Sequence, residues 1–186
     1  MDGNIHEPAR VRLSGTGRRC LRSALCGVLL LVVTLGTVAC SPESASIAAA
    51  DTRIAELQAF KRAIREKYDL KEEAFRNNDP EPILTRFYAP DAISTDNEGN
   101  TKIGTEELRP VYEEVIGALV RIESFDTFVK GDAGWDWVNF HVSFPPEAEM
   151  EPFTFKMLFL WERINGEWWS KGEMYVLGEF DVPESR

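Results

Sequence analysis

The stretch Trp161-Glu162-Arg163-Ile164-Asn165-Gly166-Glu167-Trp168-Trp169 decides how the rest of the chain is read. An Asn-Gly pair between two runs of aromatic and β-branched residues suits a two-residue turn with positive φ at both central positions. Such a turn folds the chain back as an antiparallel hairpin. Outward from it, the alternation persists. In Asp136-Trp137-Val138-Asn139-Phe140-His141-Val142-Ser143-Phe144 the apolar residues from Val138 onward fall on every second position, the period of a half-buried strand. Gly131-Asp132, Pro145-Pro146 and Asn165-Gly166 punctuate the region, which predicts four strands at about 119–130, 134–144, 152–164 and 167–180.

Upstream the period changes. Ile54, Leu57, Phe60, Ile64, Tyr68 and Phe75 recur at helical spacing with charge between them, and Asn77-Asn78-Asp79-Pro80 ends the pattern. Asp79 and Pro80 predict the start of a short second helix whose buried face is Ile83, Leu84, Phe87 and Tyr88. Ala92-Ile93-Ser94-Thr95, the Asn97-Glu98-Gly99-Asn100 turn and Ile103-Gly104 predict a small hairpin. Thr105 opens a third helix with Leu108, Val111, Tyr112, Val115 and Ile116 on one face. Pro110 lies deep enough in that helix to delay its start or kink it. Helices first and a meander afterwards predict an α+β domain with helices on one face of an antiparallel sheet.

From Phe60 to about Phe180 the chain resembles the nuclear transport factor 2-like superfamily, including its ketosteroid isomerase and SnoaL-like members. The resemblance is carried by Arg76-Asn77-Asn78-Asp79, Phe87-Tyr88-Ala89-Pro90-Asp91-Ala92, Gly104-Thr105-Glu106-Glu107-Leu108 and the Trp161–Trp168 hairpin, in that order and spacing. It implies a cone-shaped, cystatin-like fold, a curved antiparallel sheet wrapped on N-terminal helices around an internal pocket. It also implies dimerisation through the outer sheet face, here with Trp137 and His141. Carried onto the cone, Phe60, Ile64, Tyr88, Phe140, Val142, Phe144 and Leu160 become the ligand-binding wall.

The isomerase members use a carboxylate base with a Tyr and a protonated Asp as oxyanion donors. The base position falls on Asp96. The Tyr position falls near Lys71, with Tyr68 one turn earlier, and the protonated Asp position falls on Leu160. One matched role of three favours ligand binding without turnover, because the missing donors supply a large electrostatic contribution. Asp96 also precedes Asn97-Glu98-Gly99, where an Asp forms turns. The alternatives are a proton-transfer or hydrolase enzyme with Asp96 as base and Tyr68 as donor, and an interaction module that uses the outer sheet face. Glu162, Glu173 and Tyr175 lie on strands that could reach the pocket, but their parity stays open, and each reads first as a solvated or structural group.

The N-terminus is of another kind. Arg10, Arg12, Arg18, Arg19 and Arg22 precede an apolar run from Ala24 that closes on Thr37-Val38-Ala39-Cys40. Basic, apolar and small-residue regions in that order are an export signal. A cysteine directly after them resembles the lipobox of bacterial lipoproteins, with Thr37 where an aliphatic residue is usual. The run falls just short of the ~18 apolar residues that a spanning helix requires. The expected organisation is therefore a leader at 1–39, a lipidated Cys40 with a tether to residue 51, and one domain at 52–186. The expected location is the extracytoplasmic face of a cell-envelope membrane, with Cys40 acylation attaching the chain to the bilayer.

Beyond the leader the chain carries a formal charge of −13, which argues against nucleic acid as a partner. His141 is its one histidine and Cys40 its last cysteine, so no nitrogen–sulfur metal set is visible and no cofactor is expected. The remaining partner is a small apolar molecule.

Overall fold

The computed structural model describes residues 42–115 and 117–181. Helix α1 (Pro42–Arg76) is followed by a short π-helical turn (Ile83–Phe87), strands β1 (Tyr88–Thr95) and β2 (Thr101–Ile103), and helix α2 (Thr105–Val115). Strands β3 (Leu119–Lys130), β4 (Ala133–Ser143), β5 (Phe153–Ile164) and β6 (Glu167–Leu177) complete the domain. The six strands form one curved sheet in the order β2-β1-β6-β5-β4-β3. All neighbours are antiparallel except β1 and β6, which run parallel. The α+β architecture follows the sequence reading, and all four long strands lie where the alternation places them.

Local chemistry explains the element ends. α1 ends at Arg76, and two residues on Asn78 adopts φ 54°. The Asp79 N–H reaches the Ala74 carbonyl at 3.0 Å and the Asn78 N–H the Phe75 carbonyl at 3.1 Å. These two bonds close the helix with an asparagine in the left-handed position. At the hairpin tip, Asn165 (φ 53°) and Gly166 (φ 86°) both take positive φ, as a two-residue turn matched to strand twist requires. α1 differs from expectation at its start. It already runs through Ser46-Ile47-Ala48-Ala49-Ala50, read from sequence as tether, because an alanine-rich segment loses little by staying helical. Pro110 stands inside α2 without delaying its start. The N–H it lacks would have met the carbonyl of Glu106, an exposed residue that water can reach.

The core lies between α1 and the inner sheet face. Phe60 packs on Trp168 with ring centroids 4.6 Å apart, and Tyr68 on Phe159 and Trp161 at 5.5 and 5.7 Å. Gly134 allows this approach, since a Cβ there would stand 2.7 Å from the Phe60 ring and 2.8 Å from the Phe128 carbonyl. Trp168 fills core, while its neighbour Trp169 carries the Lys67 ammonium 4.7 Å from its ring.

The outer face is partly covered by the chain itself. Phe180 stacks on Phe125 at 4.5 Å and meets Trp137 edge-on at 5.8 Å. Asn139 is buried beneath this segment, donating to the Phe180 carbonyl and accepting its N–H. His141 hydrogen-bonds Thr154 at 3.0 Å. Among the described residues no helix is long and apolar enough to cross a membrane. Cys40 and the leader lie outside the described residues.

Candidate functional site

A cavity of about 560 Å³ opens between α2 and the inner face of the sheet, a size suited to a small organic molecule. It exists because α1 ends at Arg76, so beyond Phe75 only the shorter α2 covers the sheet. Leu108, Val111 and Val115 of α2 form one wall, and Phe140, Val142, Phe144, Phe155 and Met157 the opposite one. The alternation of β4 thus aims three of the expected residues, Phe140, Val142 and Phe144, at the cavity.

The other expected wall residues lie elsewhere. Phe60 and Ile64 are buried in the closed end of the core, packed against side chains rather than against space. Leu160 is 47 % exposed on the outer face. The inward phase of β5 is Phe155, Met157, Phe159 and Trp161, and the run Met157–Trp161 is apolar throughout, so alternation alone does not separate its two faces. Tyr88 lies beneath the cavity floor rather than on its surface.

The two expected catalytic residues are not brought together. Asp96 sits at the cavity rim, but its carboxylate closes the β1–β2 turn. It accepts the backbone N–H groups of Glu98 and Asn100, each at 2.9 Å, and the Asn100 amide at 3.0 Å. Those bonds, the Asn100 side chain first, hold its carboxyl below the usual value, which weakens it as a base. Tyr68 does not line the cavity. Its hydroxyl donates to Asp136 at 2.9 Å in the closed end.

No motif in the sequence marks Asp136. It lies on the inward face of β4, fully buried. Besides Tyr68 it accepts hydroxyls from Ser124 at 2.6 Å and Thr127 at 2.7 Å. Burial pushes its carboxyl up to about 6, against the pull of those three donors.

The cavity floor is polar and was the least legible part. Lys71 and Glu173, 0 % and 3 % exposed at their side chains, face each other at 3.5 Å. Tyr88 donates to Glu173 at 2.5 Å and accepts from Lys71 at 2.6 Å. Tyr112 lies 2.5 Å from the Tyr88 oxygen, and Ser94 donates to the other Glu173 oxygen at 2.8 Å. Five aromatic rings, from Phe87 at 4.5 Å to Phe140 at 5.5 Å, surround the Lys71 ammonium and replace part of its lost hydration. Burial still lowers the Lys71 pKa to about 8, with Glu173 opposing the fall. The Tyr88 and Tyr112 phenols are raised well above their usual value by burial and then by Glu173, so both stay protonated. The sequence does hold one signal for this cluster: Lys71 interrupts the apolar stripe between Tyr68 and Phe75 on the buried face of α1.

No protein-family model and no curated protein matches the chain. Solved structures do. A cystatin-like-fold protein from Nostoc punctiforme aligns over 66 % of this chain and 80 % of its own, with TM-score 0.56 and 18 % identity. A nuclear transport factor 2-like protein from Pseudomonas putida aligns over 69 % and 93 %, with TM-score 0.56 and 18 % identity. A nuclear transport factor 2-like superfamily protein from Salmonella enterica serovar Typhimurium aligns over 69 % and 98 %, with TM-score 0.56 and 14 % identity. Identities this low speak to backbone architecture alone, and on that ground the domain described here has the cystatin-like fold of the nuclear transport factor 2-like proteins.

Proposed function

We propose that this chain is a cell-envelope lipoprotein, held to the bilayer through acylated Cys40, whose domain binds a small, largely apolar molecule without turning it over. The observation that carries the binding reading is the cavity of about 560 Å³ between α2 and the sheet, with apolar walls and a buried polar floor. Such a combination supplies burial for a ligand body and a fixed contact for its end. Proton transfer by Asp96 is not part of the reading, because the β1–β2 turn already uses that carboxylate.

The test of binding is fluorescence titration with the neutral apolar dye N-phenyl-1-naphthylamine. Its emission should rise and shift to the blue on mixing with the chain. Val142→Trp, which puts an indole into the cavity, should weaken binding at least ~10-fold, or about 1.4 kcal/mol. A dye response that is absent, or that survives Val142→Trp undiminished, removes the binding reading. The anchor is tested separately. Cys40→Ala should abolish incorporation of labelled fatty acid and leave uncleaved precursor. Normal maturation and membrane fractionation of that variant would contradict lipidation.

A further inference from the structure

The floor of the cavity has a fixed hydrogen-bond polarity. Its proton ledger can be closed because each hydroxyl owns one hydrogen. The Ser94 hydrogen goes to one Glu173 oxygen at 2.8 Å, and the Tyr88 hydrogen to the other at 2.5 Å. In the 2.5 Å contact between Tyr88 and Tyr112 the donor must then be Tyr112. Lys71 directs two of its three hydrogens to the Tyr88 oxygen and Glu173, has aromatic rings around it, and does not line the cavity. Of these groups, Ser94, Tyr112 and Glu173 line the cavity, and all that they still offer is oxygen lone pairs. Donors on the wall and rim, Tyr175, Asn100 and Lys102, occupy more exposed positions.

We propose that this acceptor-only floor selects ligands whose buried end carries a neutral O–H or N–H donor, an alcohol, phenol or amide, on an apolar body. The inference rests on the binding reading above and adds the chemical class of the ligand. A carboxylate or an ether entering oxygen-first would meet the Glu173 carboxylate with no proton between them. To serve such a group, Tyr112 would have to withdraw its hydrogen from Tyr88. That leaves a 2.5 Å oxygen–oxygen contact with no proton in it, inside a site where an unmade hydrogen bond is costly. A cationic amine is disfavoured for a different reason: the Glu173 charge is already matched by the Lys71 ammonium.

The experiment compares three probes on one ring system: 2-naphthol, 2-methoxynaphthalene and 2-naphthoate. Each is titrated at pH 7 into the full chain, and binding is taken as the signal lost in Val142→Trp. The expected result is that 2-naphthol binds at least ~10-fold more tightly than 2-methoxynaphthalene, the scale of one hydrogen bond to a charged acceptor, and that 2-naphthoate binds most weakly. In Glu173→Gln the naphthol preference should fall to ~3-fold or less. Equal affinity for 2-naphthol and its methyl ether, or tightest binding of 2-naphthoate, would overturn the inference while leaving a ligand-binding cavity. Retention of the full preference in a folded Glu173→Gln chain would overturn it too. Binding of none of the three, together with no response to N-phenyl-1-naphthylamine, removes the cavity reading itself. The ratio in the unmutated chain decides the matter alone, so the inference stays testable where Glu173→Gln fails to fold.

Discussion

Glu173→Ala is expected to lower the free energy of unfolding by about 3–5 kcal/mol at pH 7, the cost of leaving one partner of a buried ion pair uncompensated. The Lys71 ammonium would stay fully buried, Tyr88 and Ser94 would lose their acceptor, and the surrounding rings could replace only part of the lost attraction. Adding Lys71→Met should recover most of the loss. A thioether fits an aromatic cage without a charge to desolvate. Urea denaturation of the two single variants and the double variant measures the coupling. Additive effects, or a single-variant cost below ~1 kcal/mol, would mean that the pair is not the closed unit described here.

The same cycle has a pH signature. Lys71 titrates near 8 in the fold against its usual 10.5. Between those values the unfolded chain holds the proton and the native chain does not, so stability rises with pH across that window. The Tyr88 and Tyr112 phenols, raised by burial, act in the opposite direction above pH 10. Glu173 holds the Lys71 pKa up, so in Glu173→Ala that proton leaves at lower pH than in the parent, and the penalty should shrink as pH rises toward about 8 and stay level above, where Lys71 is neutral in both native chains. Lys71→Met should abolish that relief.

Asp136 should produce the second large effect. Its carboxyl stands near 6 in the fold against a usual 3.8, so between those values the native chain holds the extra proton. Stability must then fall as pH rises from about 4 to about 6, by about 3 kcal/mol, and stay level above. Asp136→Asn should flatten that descent. Its carbonyl oxygen can still accept Tyr68 and Ser124, and its amide can donate to Thr127. The variant should thus gain on the parent as pH rises, and the difference in urea midpoint between pH 4 and pH 7 measures it. Asp136→Ala leaves three hydroxyls without their acceptor and should cost about 3 kcal/mol at pH 4, a cost that shrinks as pH rises because this variant, like Asp136→Asn, lacks the titration that lowers the parent's stability. Parallel pH profiles for the parent and Asp136→Asn would show that the carboxyl is not desolvated as described.

Much of the fold was legible because its determinants are local. Asn165-Gly166 suits only a few backbone conformations, and the flanking alternation assigns each residue of β4 to a face before any partner strand is known. The helix end at Asn77-Asn78-Asp79 is likewise written in residues that tolerate the left-handed turn. Legibility failed where the local pattern was degenerate. In Met157–Trp161 both faces carry apolar side chains, so Leu160 was placed inward although it faces solvent. In Ser46–Ala50 small residues fit a tether and a helix equally well, and α1 extends through them.

The amino-acid sequence by itself determined the order of helices and strands, the hairpin register and the inward face of β4, since each follows from steric and hydrophobic patterns within a few residues. Only the tertiary structure decided which polar groups would be buried together. Lys71 and Glu173, and Tyr68 and Asp136, are far apart in the chain, and any of them alone could have faced water. Sheet curvature, the early end of α1 and the placing of α2 set where the cavity opens. They thereby made the Glu173 carboxylate a cavity floor rather than a surface charge.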